Sequence, residues 1–294
     1  MADSVIVTGS DAKYFRYARD TLRSLQALRL GGVALAILDF GLDAEQCEWL
    51  AAEKIIRVLV GWDIQPGNMD AEVARMGDGY RAMTSRPFLP RYFPQANVIQ
   101  WIDADAWVQS AEGVTVPMEA ARRYGFAIVP ELHRAYAHLY SGGQATQAMH
   151  RQAAAASFGE GIASVLAANP VLNSGLFAGR RDSPVWAKWQ EFATAGISNA
   201  ANKYTEQIAL NLACYTVLGR SDSDSVQFLP PEYNFCCGLA LPMIDREAKL
   251  VLDPKYPHDP VHVVHLVGMN QRREFGTPDG GKIETSLLYS ELRG

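Results

Sequence analysis

Hydrophobic and polar positions along the chain follow two periods. Val5-Ile6-Val7-Thr8 is a short apolar strand, and Gly9-Ser10-Asp11 reads as a turn. From Tyr14 to Arg29 the apolar residues Phe15, Ala18, Leu22, Leu25 and Leu28 recur on one helical face, and Gly31-Gly32 ends that segment. Val33 to Leu38 reads as a second strand. Asp43 caps a helix carrying Cys47, Leu50 and Ala51, and Ile55 to Val60 reads as a third strand. This β-α-β-α-β order with short links predicts a parallel sheet covered by helices.

The later pattern is less regular. Tyr80 to Phe93 predicts a helix with an early proline, with Arg86 set among Met83, Phe88 and Leu89. Such an arginine either snorkels to water or aims its planar fork at an anion. Val98 to Val108 is an apolar run, broken only by Gln100 before it enters Asp103-Ala104-Asp105, and it suits a buried central strand. Gly125 to Val129 is another strand, ending at Pro130-Glu131.

The stretch from His133 to Asn169 is rich in Ala, Gln, Gly and His and predicts two helices, Gln144 to Ala156 and Gly161 to Ala167. It reads either as an insertion over a site or as an ordinary surface pair. The spacing of His133, His138 and His150 matches no metal pattern. Val171 to Gly179 is a strand interrupted by Asn173-Ser174-Gly175, and a glycine inside a strand marks a close approach.

Asp182 is expected to cap a helix whose aromatic residues are core. Tyr204 to Leu218 is a further helix, with Thr205 as its cap and Glu206 on the favourable end of its dipole. Gln207 has no such local explanation. Val226 to Leu229 and Val261 to Leu266 read as strands, and Ile283 to Leu292 as a terminal helix. His262 and His265 are three apart on a strand, so one of them faces any site.

Composition narrows the classes. With 294 residues, 48% of them hydrophobic and 20% charged, the chain can bury a sizeable core. A net charge of −5 argues against nucleic acid as a partner, since phosphate binding needs a basic surface. The four cysteines form no C-x-x-C pair and are expected to be reduced and mostly buried. No apolar run reaches the length of a membrane span, and the first strand starts almost at Met1, so no signal peptide and a cytoplasmic location are expected.

Asp103 and Asp105 carry the candidate chemistry. In an extended chain, residues i and i+2 point the same way, so both carboxylates would project from the strand end. They repel each other and are costly to desolvate, and a divalent cation with a preference for oxygen ligands resolves both problems. The competing reading places them in a turn, bonded to backbone N–H groups. Ligands of such sheets bind beyond the carboxyl ends of the strands, where the segment after strand one also falls. That segment is no phosphate loop, because it lacks G-x-x-x-x-G-K and G-x-G-x-x-G.

The order of these motifs resembles the family-8 glycosyltransferases, which include glycogenin and bacterial lipopolysaccharide galactosyl- and glucosyltransferases. The resemblance runs from Val5 to about Gln271. It rests on the opening Val7-Thr8-Gly9-Ser10-Asp11-Ala12-Lys13-Tyr14, on Arg86, and on the D-x-D of Asp103-Ala104-Asp105. It continues through Asn173-Ser174-Gly175, Glu206-Gln207 with Leu210-Asn211, and Pro231-Glu232-Tyr233-Asn234. It closes on His265-Leu266-Val267-Gly268-Met269-Asn270-Gln271.

The resemblance implies an α/β nucleotide-diphosphosugar transferase (GT-A) fold, with a central, mostly parallel sheet and helices on both faces. A single domain over 1–294 would comprise a nucleotide-binding half (1–130), a helical insertion (133–169) and an acceptor- and metal-closing half (170–294). It implies retaining transfer of a hexose from a UDP-sugar to a carbohydrate or lipid-linked glycan. Asp103, Asp105 and His265 would bind Mn²⁺ (or Mg²⁺). Thr8, Asp11, Tyr14, Arg86, Asp103, Ala104, Asp105, Asn173 and Gly268 would contact the donor, with Tyr14 stacking on uracil. Gln207 and Glu206 would be catalytic, and Glu131 and Asn173 would line the acceptor region.

Two positions depart from the family pattern: Gln271 stands for the closing lysine, with Arg272 and Arg273 as candidate substitutes, and Glu206 stands for the usual aspartate. Two other classes compete, a sugar-nucleotide nucleotidyltransferase and a non-catalytic nucleotide-sugar-binding protein. Homo-oligomerisation is left open.

Overall fold

The computed structural model describes residues 3–136, 144–218 and 225–293. His138 lies outside them. The chain begins with β1 (Ser4–Ser10), α1 (Phe15–Ala27), β2 (Val33–Asp39), α2 (Ala44–Ala52) and β3 (Ile56–Leu59). The short helices α3 (Ala71–Met76), α4 (Arg81–Ser85) and α5 (Leu89–Tyr92) lead to β4 (Val98–Ile102) and β5 (Ala106–Val108). Then come α6 (Glu112–Tyr124), β6 (Gly125–Pro130), α7 (Gln144–Phe158), α8 (Glu160–Ala167), β7 (Leu172–Arg180), α9 (Pro184–Asn199), α10 (Thr205–Val217) and β8 (Ser225–Phe228). The described chain ends with β9 (Phe235–Cys236), β10 (Met243–Asp245), β11 (Leu250–Leu252), β12 (Val263–His265), β13 (Arg273–Gly276), β14 (Lys282–Thr285) and α11 (Tyr289–Leu292).

Seven strands form the main sheet in the order β3-β2-β1-β4-β7-β6-β8, which places β4 at its centre. All neighbours pair in parallel except around β7, which runs antiparallel to β4 and β6. The carboxyl ends of β1, β2, β4 and β6 therefore share one edge with the amino end of β7. Helices cover both faces. On one, Val7, Trp101, Ile128 and Phe177 pack with Trp186 and Trp189 of α9 and with α10. On the other, Ile6, Ile102, Val129 and Leu176 pack with Val114 and Met118 of α6. A second sheet, β5-β12-β9, rests on that common edge through β5, which continues the β4 segment.

Several sequence expectations change. Gly9 and Ser10 belong to β1, so the turn begins only at Asp11. The expected helix from Tyr80 to Phe93 is broken into short turns, because Pro87 and Pro90 each remove a donor from the ladder. Ser183, not Asp182, caps α9 by accepting from the Val185 N–H, while Asp182 pairs with Arg180. Tyr204, not Thr205, is the cap position of α10. The expected terminal helix is instead β14, hairpinned to β13, followed by the short α11. All four cysteines are free, and only Cys47 is not fully buried.

Gly9 sits where two aromatic rings meet. A Cβ there would lie 2.6 Å from Cε2 of Phe40 and 3.0 Å from Cη2 of Trp101. Gly9→Ala is therefore expected to destabilise the fold by about 1–3 kcal/mol in denaturant melts. An unchanged midpoint would show that the two rings yield freely.

Candidate metal and donor site

The common edge gathers residues from the ends of β4, β6, β7 and β12, from the start of α10, and from the turns that carry Arg86 and Asn234. β4 ends at Ile102, and Asp103-Ala104-Asp105 forms a tight turn closed by the Ala106 N–H on the Asp103 carbonyl, 3.0 Å. The two carboxylates thus meet through a turn, not through an extended strand. Asp103 is held on three sides: its N–H donates to the Gly175 carbonyl (2.8 Å), and Oδ1 accepts from Trp101 Nε1 (2.6 Å) and Arg86 (3.1 Å).

Arg86 does not snorkel. Its side chain is 6% exposed, and one amino group bonds both Asp103 and the Ser174 carbonyl. The other pairs with Glu206, which is wholly enclosed in the first turn of α10. Burial raises the Glu206 carboxyl to about 7, against the opposing charge of Arg86.

His265 closes the group. Its Nε2 lies 3.5 Å from an Asp105 oxygen and 3.8 Å from an Asp103 oxygen. Among the described residues, Asp103, Asp105 and His265 can present ligand atoms all within 4.8 Å of one another. Gly175 makes room for the ring, since a Cβ there would lie 2.3 Å from His265 Cε1. The close approach expected of this glycine is that of an imidazole.

The orientation of the imidazole follows from an amide chain. The Gly175 N–H can only donate, so the oxygen of Asn173 faces it at 2.8 Å. Asn234 donates its amide to that oxygen (2.9 Å), which turns the Asn234 oxygen toward His265 Nδ1 at 3.0 Å. Asn173 in turn donates to Glu131 at 2.7 Å. Nδ1 therefore carries a proton, and Nε2 faces the two carboxylates, the nitrogen left to a metal once its own proton is displaced. Burial alone would lower the His265 pKa, but the Asp105 carboxylate outweighs it and raises it. Desolvation likewise acts upward on Asp105, and the His265 hydrogen bond reverses it. A proton on Nε2 and a divalent cation compete for one place.

A second group, His133, Glu232 and Asp253, has comparable spacing but different chemistry. His133 Nδ1 accepts the Ala135 N–H at 3.0 Å, so in a neutral ring Nε2 carries the proton. Nε2 lies 3.2 Å from Asp253, a carboxylate already held by Arg134. Asp253 is thus the ion-pair partner of Arg134, and a neutral His133 with Nδ1 accepting from the backbone has no lone pair left for a metal.

The remaining candidates divide. Thr8 is buried in β1 with an unpartnered hydroxyl. Asp11 caps its own turn, accepting from the Tyr14 N–H at 2.8 Å. Tyr14 is 44% exposed, its ring 4.7 Å from that of Tyr17. Burial of its phenol, then the Asp105 and Asp103 charges, hold it protonated. Gly268 has φ +80° beside Val267 at +48°, a turn that brings the Val267 N–H onto Asp105. Gln207 is fixed by its oxygen, which accepts the Ser174 N–H (3.0 Å) and hydroxyl (3.1 Å).

Gln207 and Glu131 also line a cavity of about 570 Å³ beneath α7 and α8. Arg272 is engaged by Glu291 and the Glu284 carbonyl rather than standing in for a site lysine. Trp101 and Asn234 were not singled out by sequence. Asn234 lay inside a quoted segment, but nothing in its spacing announced a contact with His265.

No protein-family model matches the chain, and no curated protein does so. Solved structures do. The galactosyltransferase LgtC, in complex with donor and acceptor sugar analogues, aligns at TM-score 0.55 and 15% identity, over 89% of this chain and 86% of that one. An active-site mutant of LgtC aligns at TM-score 0.55 and 14% identity, over 91% and 88%. The bifunctional glycosyltransferase WbbM aligns at TM-score 0.51 and 13% identity, over 81% of this chain and 40% of that one. The fold is that of the A-type nucleotide-diphosphosugar transferases, in agreement with the family-8 resemblance of the motifs.

Replacing Glu206 by Gln removes a buried acid whose pKa is raised on folding. The folded chain binds more protons there, so Glu206 lends stability below about 4.5 and loses it as pH rises through about 7. The stability of wild type relative to Glu206→Gln is expected to fall across that window in urea melts. A constant difference would mean that Arg86 keeps Glu206 ionised throughout.

Proposed function

We propose that the protein is a metal-dependent retaining glycosyltransferase that moves a hexose from a UDP-sugar to a hydroxyl acceptor. The observation that carries this reading is the His265 ring, turned by Asn234 so that its Nε2 meets Asp103 and Asp105. Those three residues would hold Mn²⁺ or Mg²⁺, which as a Lewis acid stabilises the charge of the departing diphosphate. Asp11 and Tyr14, at the end of β1, would meet the uracil, with Thr8, Ala104 and Gly268 around the nucleotide. Arg86, bonded to the enclosed Glu206, sets Asp103 in place and acts on the donor chiefly through Asp103.

Gln207 is the residue proposed to face the anomeric centre. Ser174 fixes its oxygen, and Gln207 lines a cavity of about 570 Å³. Among the LgtC structures is an active-site mutant in which glutamate replaces a glutamine, which supports an active-site role for a glutamine in this fold. Glu206, the other candidate nucleophile, is enclosed and paired with Arg86, which favours transfer on one face over a covalent intermediate. The departing phosphate oxygen then takes the acceptor proton, and no protein base is needed. Asn173 and Glu131 border the acceptor side. The nucleotidyltransferase alternative has no Gly-rich basic loop to support it, since the chain after β1 is a cap turn on Asp11.

Thermal unfolding with nucleotides tests the proposal. UDP with Mn²⁺ is expected to raise Tm, because a ligand that binds only the folded state stabilises it by mass action. The shift should vanish without Mn²⁺ and in Asp105→Ala. A shift of equal size without metal, or with Asp105→Ala, would contradict the metal role; hydrolysis of no UDP-hexose would favour a binding protein.

A further inference from the structure

The cavity beside Gln207 has a composition that bears on the acceptor. Among the described residues its lining includes Ala154, Ala163, Leu166 and Ile208, and no tryptophan, tyrosine or phenylalanine. Several of its polar residues already have partners. Asn211 bonds the Leu172 N–H (2.8 Å), the Leu172 carbonyl (2.8 Å) and the Gln207 carbonyl (2.7 Å). Asn169 donates to the Val165 carbonyl (2.9 Å), Arg151 pairs with Glu160 (3.3 Å), and His150 lies 4.5 Å from the Tyr204 ring. What remains for an occupant is the Glu131 carboxyl and the Gln207 amide at one end, the exposed Arg151 of α7 and Asn169 after α8, and aliphatic wall between them.

That polar end is linked to the metal group through hydrogen bonds. Gln207 bonds Ser174, whose carbonyl bonds Arg86, which holds Asp103. Exposed apolar side chains lie on the same helices, Met149 (43%) on α7 and Ile162 (37%) and Val165 (60%) on α8, and Leu132 (44%) follows Glu131. A pyranose ring wants flat aromatic faces and many hydrogen-bond partners; its hydroxyls would go unpaired against Ala, Leu and Ile. An alkyl body loses nothing there and leaves water. About 570 Å³ lies within the usual range for small-molecule sites.

We infer that the acceptor is amphiphilic: its hydroxyl lies at the Gln207 end and its aliphatic body fills the pocket between α7, α8 and α10. This rests on the transferase reading and deepens it. In the transfer, the bond from the sugar anomeric carbon to the β-phosphate oxygen breaks. A bond from that carbon to the acceptor oxygen forms. The acceptor hydroxyl proton passes to the phosphate oxygen, and UDP leaves.

Calorimetry with methyl, butyl, hexyl and octyl β-glucosides, below their micelle concentrations and in the presence of Mn²⁺ and UDP, tests the inference. Affinity is expected to rise with chain length by roughly fourfold per methylene, the burial of one CH₂. Ala167→Phe, at an exposed helical position on the lining, should flatten that rise, with its unfolding temperature reporting that it is folded. Affinity independent of chain length, or a rise that Ala167→Phe leaves intact, would overturn the inference. Binding of Mn²⁺ and UDP, read in the same titrations before any glucoside is added, separates the two claims. Its absence would sink the transferase reading, while the chain-length series still decides the pocket.

Discussion

One buried guanidinium holds the site together. Arg86 joins Asp103 at the end of β4, Ser174 in β7 and Glu206 at the start of α10. Without that charge, two carboxylates would stand in a poorly solvated pocket with a third, Asp105, nearby. Removing one partner of such a buried group typically costs about 3–5 kcal/mol, because it leaves a charge unpaired. The arginine therefore acts as structure first. It lets the fold assemble an acidic edge before any cation arrives, and it points Asp103 toward His265.

The sheet topology explains why those groups can meet. With β7 antiparallel among parallel neighbours, its amino end lies on the edge where β1, β4 and β6 deliver their carboxyl ends. Asn173, Ser174 and Gly175 sit at that end and serve three different purposes. Asn173 relays the orientation of Glu131 to Asn234, Ser174 fixes Gln207, and Gly175 yields space to His265. The same edge then separates two surfaces, an acidic one at the Asp103-Asp105 turn and an aliphatic one behind Gln207.

Much of this was legible in the sequence. The periodicity marked β1 to β3 and α1, and the β4 run led directly to Asp103 and Asp105. The glycine at position 175 foretold a close approach, and the spacing of His262 and His265 foretold that they part. His262 indeed turns away, its Nδ1 2.8 Å from the Ser110 hydroxyl. What stayed hidden depends on long-range contact. Sequence left open whether Asp103 and Asp105 end a strand or sit in a turn, and the turn wins through the Ala106 N–H on the Asp103 carbonyl and the Asp103 N–H on the Gly175 carbonyl. The relay through residues 131, 173, 234 and 265 joins four distant segments by amide hydrogen bonds, for which sequence carries no pattern. Ile283 to Leu292 misleads because a short apolar run fits a strand and a helix equally.

The central claim is that the lone pair of His265 completes an oxygen-rich cation site. Electron spin-echo spectroscopy of Mn²⁺ on the protein, with histidine labelled by ¹⁵N, measures this directly. The account requires a directly bonded imidazole nitrogen coupled to the bound Mn²⁺, lost in His265→Ala. Bound Mn²⁺ with no nitrogen coupling, or a coupling that survives His265→Ala, would contradict it.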